Sequence, residues 1–127
     1  MKSLIFAVDF DGTCVDHRYP DIGPALPDVV DVLKELTNKG HKIILWTMRS
    51  GKELLDAENW FKENEIPLYA SNKNPTQWHW TKSPKVDAYT YIDDKNVGIQ
   101  LIQLAHMRRP GVNWILVRNW LIARGIL

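Results

Sequence analysis

The chain has 127 residues, room for one compact domain around one core and little left for a second. Hydrophobic residues make up 45% and charged residues 24%, ordinary globular usage that argues against a disordered, collagen-like or low-complexity chain. Sixteen Lys and Arg against fifteen Asp and Glu leave a formal charge of +1, so nucleic acid and acidic membranes are not signalled by net charge.

The lone cysteine, Cys14, has no partner for an internal disulfide. The four histidines, His17, His41, His79 and His106, lack the spacing of a Cys/His metal site. Leu4 to Val8 gives only five consecutive apolar residues, too few for a signal h-region or a membrane span, so a cytoplasmic protein is expected, with no membrane partner.

In chain order, Leu4–Val8 reads as a strand buried on both faces, ending in an acidic, Gly-containing turn. Leu26, Val29, Val30, Leu33 and Leu36 recur at three- and four-residue steps, which predicts an amphipathic helix stopped at Gly40. His41–Trp46 gives a second strand, followed by Thr47 and the loop Met48-Arg49-Ser50-Gly51. Leu54, Leu55, Ala57, Trp60 and Phe61 outline a second helix, and Ile66–Ala70 a short third strand with Pro67 near its start. Periodicity vanishes from Ser71 to Pro84, a surface loop in which Trp78 and Trp80 require something to pack on. Ala88–Ile92 is a fourth strand, terminated by Asp93-Asp94. The segment from Gly98 to Pro110 fits either a short edge strand or a loop. Asn113 caps a last helix through Trp114, Val117, Trp120 and Leu121, closed at Gly125. The alternation predicts one domain over 1–127: a doubly wound, mainly parallel, Rossmann-like α/β sheet with helices on both faces.

In an open α/β sheet, ligands bind outside the carboxyl ends of the strands, which here collects Asp9, Asp11, Thr47, Asp93 and Asp94. Four carboxylates facing one crevice repel one another unless a divalent cation neutralises them. An all-oxygen set selects a hard ion, so Mg²⁺ is the expected cofactor.

Asp9-Phe10-Asp11-Gly12-Thr13 after the first strand, Thr47 after the second, a downstream Lys and Asp93-Asp94 after the fourth together resemble the haloacid dehalogenase superfamily. The likeness covers nearly the whole chain and is strongest to small members without a large cap domain. It implies that Asp9 attacks phosphorus and becomes an aspartyl-phosphate that water hydrolyses. Asp11 then serves as general acid and base, a pairing that favours phosphoryl transfer over dehalogenation. Thr47 and the Met48 backbone N–H bind phosphate oxygens, and a Lys balances the charge, Lys85 ahead of Lys73. Asp94 contacts Mg²⁺ directly, Asp93 through water or by orienting Lys85, and the Asp11 carbonyl completes the set with Asp9.

The likeness also makes Gly12 and Thr13 the sharp turn past the nucleophile and Cys14 to Gly23 a flap over the site. His17 and Arg18 on that flap are substrate contacts or solvated loop residues. Arg49 is placed to reach a phosphate or second anionic group. Trp78 and Trp80 either wall a substrate ring or pack on the core or a neighbouring subunit.

The expected activity is a phosphomonoesterase acting on a small phosphorylated molecule or the phosphorylated end of a macromolecule. Without a cap, specificity comes from an open cleft or from a neighbour in a homo-oligomer. Phosphotransfer to another acceptor and a catalytically idle binding protein are the alternatives. A receiver domain fits less well, because the third strand ends in Tyr69-Ala70-Ser71 rather than in an Asp. Cys14 followed by Arg18 misses the Cys-x5-Arg spacing, and Arg49-Ser50-Gly51-Lys52 misses the full phosphate-binding loop.

Overall fold

Short apolar runs alternate with amphipathic segments, and the backbone follows that alternation. The computed structural model describes residues 2–127. The order is β1 (Ile5–Val8), α1 (Val29–Asn38), β2 (Lys42–Leu45), α2 (Gly51–Glu63), β3 (Ala70–Ser71), a 3₁₀ turn (Pro75–Gln77), β4 (Thr90–Ile92), β5 (Leu101–Ile102), β6 (Gly111–Val112) and α3 (Trp114–Ala123). The main sheet is wholly parallel in the order β3-β2-β1-β4, so β1 is central and its carboxyl end lies where the strand order reverses. This is the expected Rossmann-like α/β class.

Strand alternation divides the core. Phe6, Val8, Ile43, Leu45 and Ile92 point to one face, where they meet Val29, Val32, Leu33 and Leu36 of α1, Ala57, Trp60 and Phe61 of α2, and Trp114 and Leu121 of α3 in one buried cluster. Ala7 and Ile44 point to the other face, which is closed by Val86 with Ile5, Trp46, Tyr69, Ala88 and Tyr91. Helices on both faces were expected; all three contribute to the first face instead. The steps β1 to β2 and β2 to β3 run the same way across the sheet, so right-handed crossovers put α1 and α2 on one side. The reversal from β3 to β4 should cover the other side, but that connection holds one 3₁₀ turn and no α-helix.

Several boundaries differ from the sequence reading for local reasons. α1 starts at Val29, not Leu26, because Pro27 and the left-handed Asp28 (φ 69°) precede it. β3 shrinks to two residues, since Pro67 supplies no N–H and Glu65 is left-handed. The ambiguous segment 98–110 supplies β5, which pairs antiparallel with β6 in a separate ribbon. Among the described residues no helix is long and apolar enough to cross a membrane.

Candidate metal and phosphate site

The register Val8↔Ile92 places the residues after β1 and β4 side by side, and the Asp9 N–H donates to the Ile92 carbonyl at 3.0 Å. Asp9, Asp93 and Asp94 therefore converge, each with a carboxylate oxygen within 4.8 Å of the others. Thr13 ties the cluster together. Its hydroxyl donates to Asp9 Oδ2 at 2.8 Å and accepts the Asp94 N–H at 3.0 Å, linking the loop after β1 to the end of β4.

The loop is held from behind by the C-terminal ribbon and helix. The buried Trp114 indole donates to the Thr13 carbonyl at 2.6 Å, and the Val112 N–H donates to the Gly12 carbonyl at 3.1 Å. Gly12 has φ +83°, and a Cβ there would lie 2.5 Å from Asp94 Oδ2, so a side chain is excluded where the two loops meet.

Burial, and then the neighbouring Asp93 and Asp94 carboxylates, push the Asp9 carboxyl up to about 8, against the lowering effect of the Thr13 hydrogen bond. Burial and the hydrogen bond with Asp93 raise Asp94 as well. Among the described residues no ion pair reaches the cluster, the pairs being Arg18–Asp16, Arg49–Asp11, Lys52–Asp56 and Arg118–Glu35, and the charge of Lys95 offsets the rise at Asp94 only in part. Three carboxylates with no imidazole or thiolate among them form a donor set that fits a hard divalent cation. Cys14 does not compete as ligand or nucleophile. It is fully buried, donates to the Asp9 carbonyl at 3.3 Å, and its thiol is pushed well above the usual range by burial and by Asp9 and Asp11.

Arg49 sits elsewhere than expected. Its guanidinium, 1% exposed, pairs with Asp11 through Nε–Oδ2 at 2.7 Å and Nη2–Oδ1 at 2.8 Å. Nη2 also donates to the Asp21 carbonyl, and Nη1 to those of Pro20 and Glu53. The Phe10 and Tyr19 rings flank it, each 5.1 Å away. All five N–H groups are thus used inside the protein. Arg49 clamps the segment after β1 to α2 and has no donor left for a phosphate, and Asp11 faces Arg49 rather than the three-carboxylate cluster.

Thr47 follows β2, its N–H donating to Asn72 Oδ1 at 2.8 Å and its hydroxyl accepting the Arg49 N–H at 3.1 Å. Met48 projects fully into solvent. Lys85 and Lys73 are exposed, and neither ammonium forms an ion pair among the described residues. Lys85 contributes its carbonyl to Gln77, and the Lys73 ammonium lies 5.7 Å over the Trp78 ring. Arg18 is structural: it pairs with the buried Asp16 at 2.9 Å and donates to the His106 carbonyl. Burial pushes Asp16 up, but the Arg108 backbone N–H and Arg18 outweigh it and hold the carboxyl below its usual range. Trp78 and Trp80 do not pack on the core; they are 58% and 65% exposed.

Sequence reasoning gave Thr13 only a turning role and missed Asn72, Asp16 and Trp114. Thr13 carried a signal, being a hydroxyl four residues after the central aspartate. Trp114 carried none, because its partner lies 101 residues away. A groove of about 710 Å³ between β4 and α3 is lined by no acidic, basic or histidine side chain, so none of the carboxylates opens into it.

A solved structure of a conserved protein from Bacteroides thetaiotaomicron is 35% identical to this chain, with 97% of this chain and 93% of that one covered and a TM-score of 0.80. The chain belongs to the same family as that protein. Neither a family model nor a curated protein matches the sequence. The Bacteroides relative accordingly supports the whole fold, while the chemistry is argued from Asp9 and its neighbours.

Proposed function

We propose that the protein is a Mg²⁺-dependent phosphomonoesterase of the haloacid dehalogenase type, with Asp9 as nucleophile. The observation that carries this reading is the convergence of the Asp9, Asp93 and Asp94 carboxylates at the carboxyl end of the central parallel strand, with Asp9 held by Thr13. Asp9, Asp93 and Asp94 would hold the ion, which supplies Lewis-acid charge neutralisation at the phosphoryl oxygens.

Burial and the neighbouring Asp93 hold the metal-free Asp9 carboxyl up to about 8, so the ion would favour the ionised, nucleophilic form at neutral pH. Once ionised, an Asp9 oxygen forms a bond to phosphorus as the bond to the leaving oxygen breaks. Thr13 orients that oxygen, and the Thr47 hydroxyl and Met48 N–H, which follow the neighbouring strand β2, are the proposed donors to the phosphoryl oxygens. Water then attacks the aspartyl-phosphate, releasing inorganic phosphate and restoring Asp9. Asp11 protonates the leaving alkoxide and takes a proton from the water. Both steps require one Asp11 oxygen to leave Arg49, and the first requires that oxygen to take up a proton from solvent, which it gives to the alkoxide and regains from the attacking water.

That clamp favours one second reading, a protein that binds the ion or forms the phosphoenzyme but does not turn over. The two are separated by hydrolysis of a generic aryl phosphate with Mg²⁺ or EDTA, for wild type and Asp9→Asn. Multiple turnovers that need Mg²⁺ and vanish in Asp9→Asn support the esterase; none from a folded, Mg²⁺-binding chain supports the second reading.

A further inference from the structure

The connection from β3 to β4 concentrates charge that the chain as a whole does not show. From Asn72 to Val86 there are three lysines, Lys73, Lys82 and Lys85, and no acidic residue, so with a total of +1 the rest of the chain carries −2. Two tryptophans stand among them, more than half exposed, where aromatic side chains of this size are ordinarily covered.

The loop is nonetheless fixed. Buried Asn74 donates to the Asp87 carbonyl at 2.8 Å and accepts the Thr76 N–H, while buried Gln77 donates to the Ser83 and Lys85 carbonyls and accepts the Asp87 N–H at 2.8 Å. Trp78, Trp80 and the lysines are thus displayed on a braced turn, with little ordering entropy left to lose on binding. The turn is also joined to the site: Asn72 accepts the Thr47 N–H, Lys73 follows it, and the Lys73 ammonium lies over the Trp78 ring.

We propose that this loop is a binding platform for single-stranded nucleic acid, which brings a terminal phosphate of the strand to Asp9. Exposed indoles stack on unpaired bases whatever their sequence, and lysines beside them follow the phosphates. Two exposed indoles offer two stacking surfaces, which suits a strand better than a lone nucleotide, and a duplex hides the base faces they need. No inserted cap domain stands between β1 and β2 or between β2 and β4 to exclude the rest of a polymer. The catalytic half of the proposal rests on the phosphomonoesterase reading; the binding half rests on the loop alone.

The binding test is fluorescence anisotropy of a labelled thymidine oligomer without terminal phosphate, against the intact chain in EDTA at low salt, where no turnover is involved. Saturable binding is expected. Trp78→Ala and Trp80→Ala should each weaken it by roughly 5- to 150-fold while their thermal unfolding stays cooperative. The log–log salt slope should be about −2 for three lysines and shallower in Lys82→Gln/Lys85→Gln. No binding, equal binding to a duplex, equal competition by thymidine monophosphate, or no effect of either tryptophan overturns the platform. Failure to bind with a dimer that Trp80→Ala dissociates in light scattering makes the loop a subunit contact and overturns it too. If the chain hydrolyses aryl phosphate with Mg²⁺, a terminally phosphorylated oligomer should be used with higher kcat/KM, and Trp78→Ala should erase that advantage. A chain that binds the oligomer but hydrolyses neither compound refutes the esterase, not the platform.

Discussion

Mg²⁺ binding must expel a proton from Asp9, and the size of that effect follows from the site. Two carboxylate charges no more than 4.8 Å apart at an effective dielectric constant of about 20 repel by about 3 kcal/mol or more, and Asp9 faces two such neighbours while partly withdrawn from water. Its carboxyl titrates at about 8 in the metal-free protein, so at pH 7 about nine molecules in ten carry the proton. The ion binds the carboxylate, which makes apparent affinity rise about ninefold from pH 6 to 7, about fivefold from 7 to 8, and less than about twofold from 8 to 9. Isothermal titration calorimetry in two buffers of different ionisation enthalpy at pH 7 should count close to one proton released per Mg²⁺. The same linkage acts on folding. A carboxyl raised above its unfolded value of 3.8 favours the fold fully below that pH and loses the contribution as pH rises through about 8, so the metal-free protein weakens across that window and Mg²⁺ restores it. In Asp9→Asn the proton release should disappear. Affinity that is flat from pH 6 to 8, or no proton release in the wild type, would refute the reasoning.

Three other perturbations test the framework around the cluster. Arg49→Ala leaves Asp11, whose side chain is 12% exposed, without its partner and frees three backbone carbonyls, so urea unfolding should show a loss of about 3–5 kcal/mol, well beyond a surface change. Gly12→Ala combines a left-handed backbone with a Cβ 2.5 Å from Asp94 Oδ2 and should cost about 1–3 kcal/mol by denaturation while weakening Mg²⁺ in calorimetry. Thr13→Val removes the donor to Asp9 and the acceptor for the Asp94 N–H. It should cost about 1–3 kcal/mol, and the pH midpoint of Mg²⁺ binding should move up, because that hydrogen bond lowers the Asp9 carboxyl.

The parallel sheet and the gathering of Asp9, Asp93 and Asp94 were legible because both rest on local patterns: short apolar runs and the polar residues that end them. Arg49 was not. Two residues past Thr47 it reads as an anion ligand, and only the fold brings Asp11, 38 residues away, and the Pro20 and Asp21 carbonyls around it. The lack of a helix on the second face was half legible, since a segment without helical period from Ser71 to Pro84 leaves loop residues to cover Ala7 and Ile44. The exposure of Trp78 and Trp80 was the reverse of what indole hydrophobicity suggests. It follows from Asn74 and Gln77 bracing the turn by hydrogen bonds instead of by packing.

The most direct measurement is the intact mass of the acid-quenched protein during turnover of an aryl phosphate with Mg²⁺, with the modified residue mapped by fragmentation. The proposed function predicts the added mass of one phosphoryl group on Asp9, absent in EDTA and in Asp9→Asn. Hydrolysis that proceeds with no adduct, or with Asp9→Asn fully active, would contradict it.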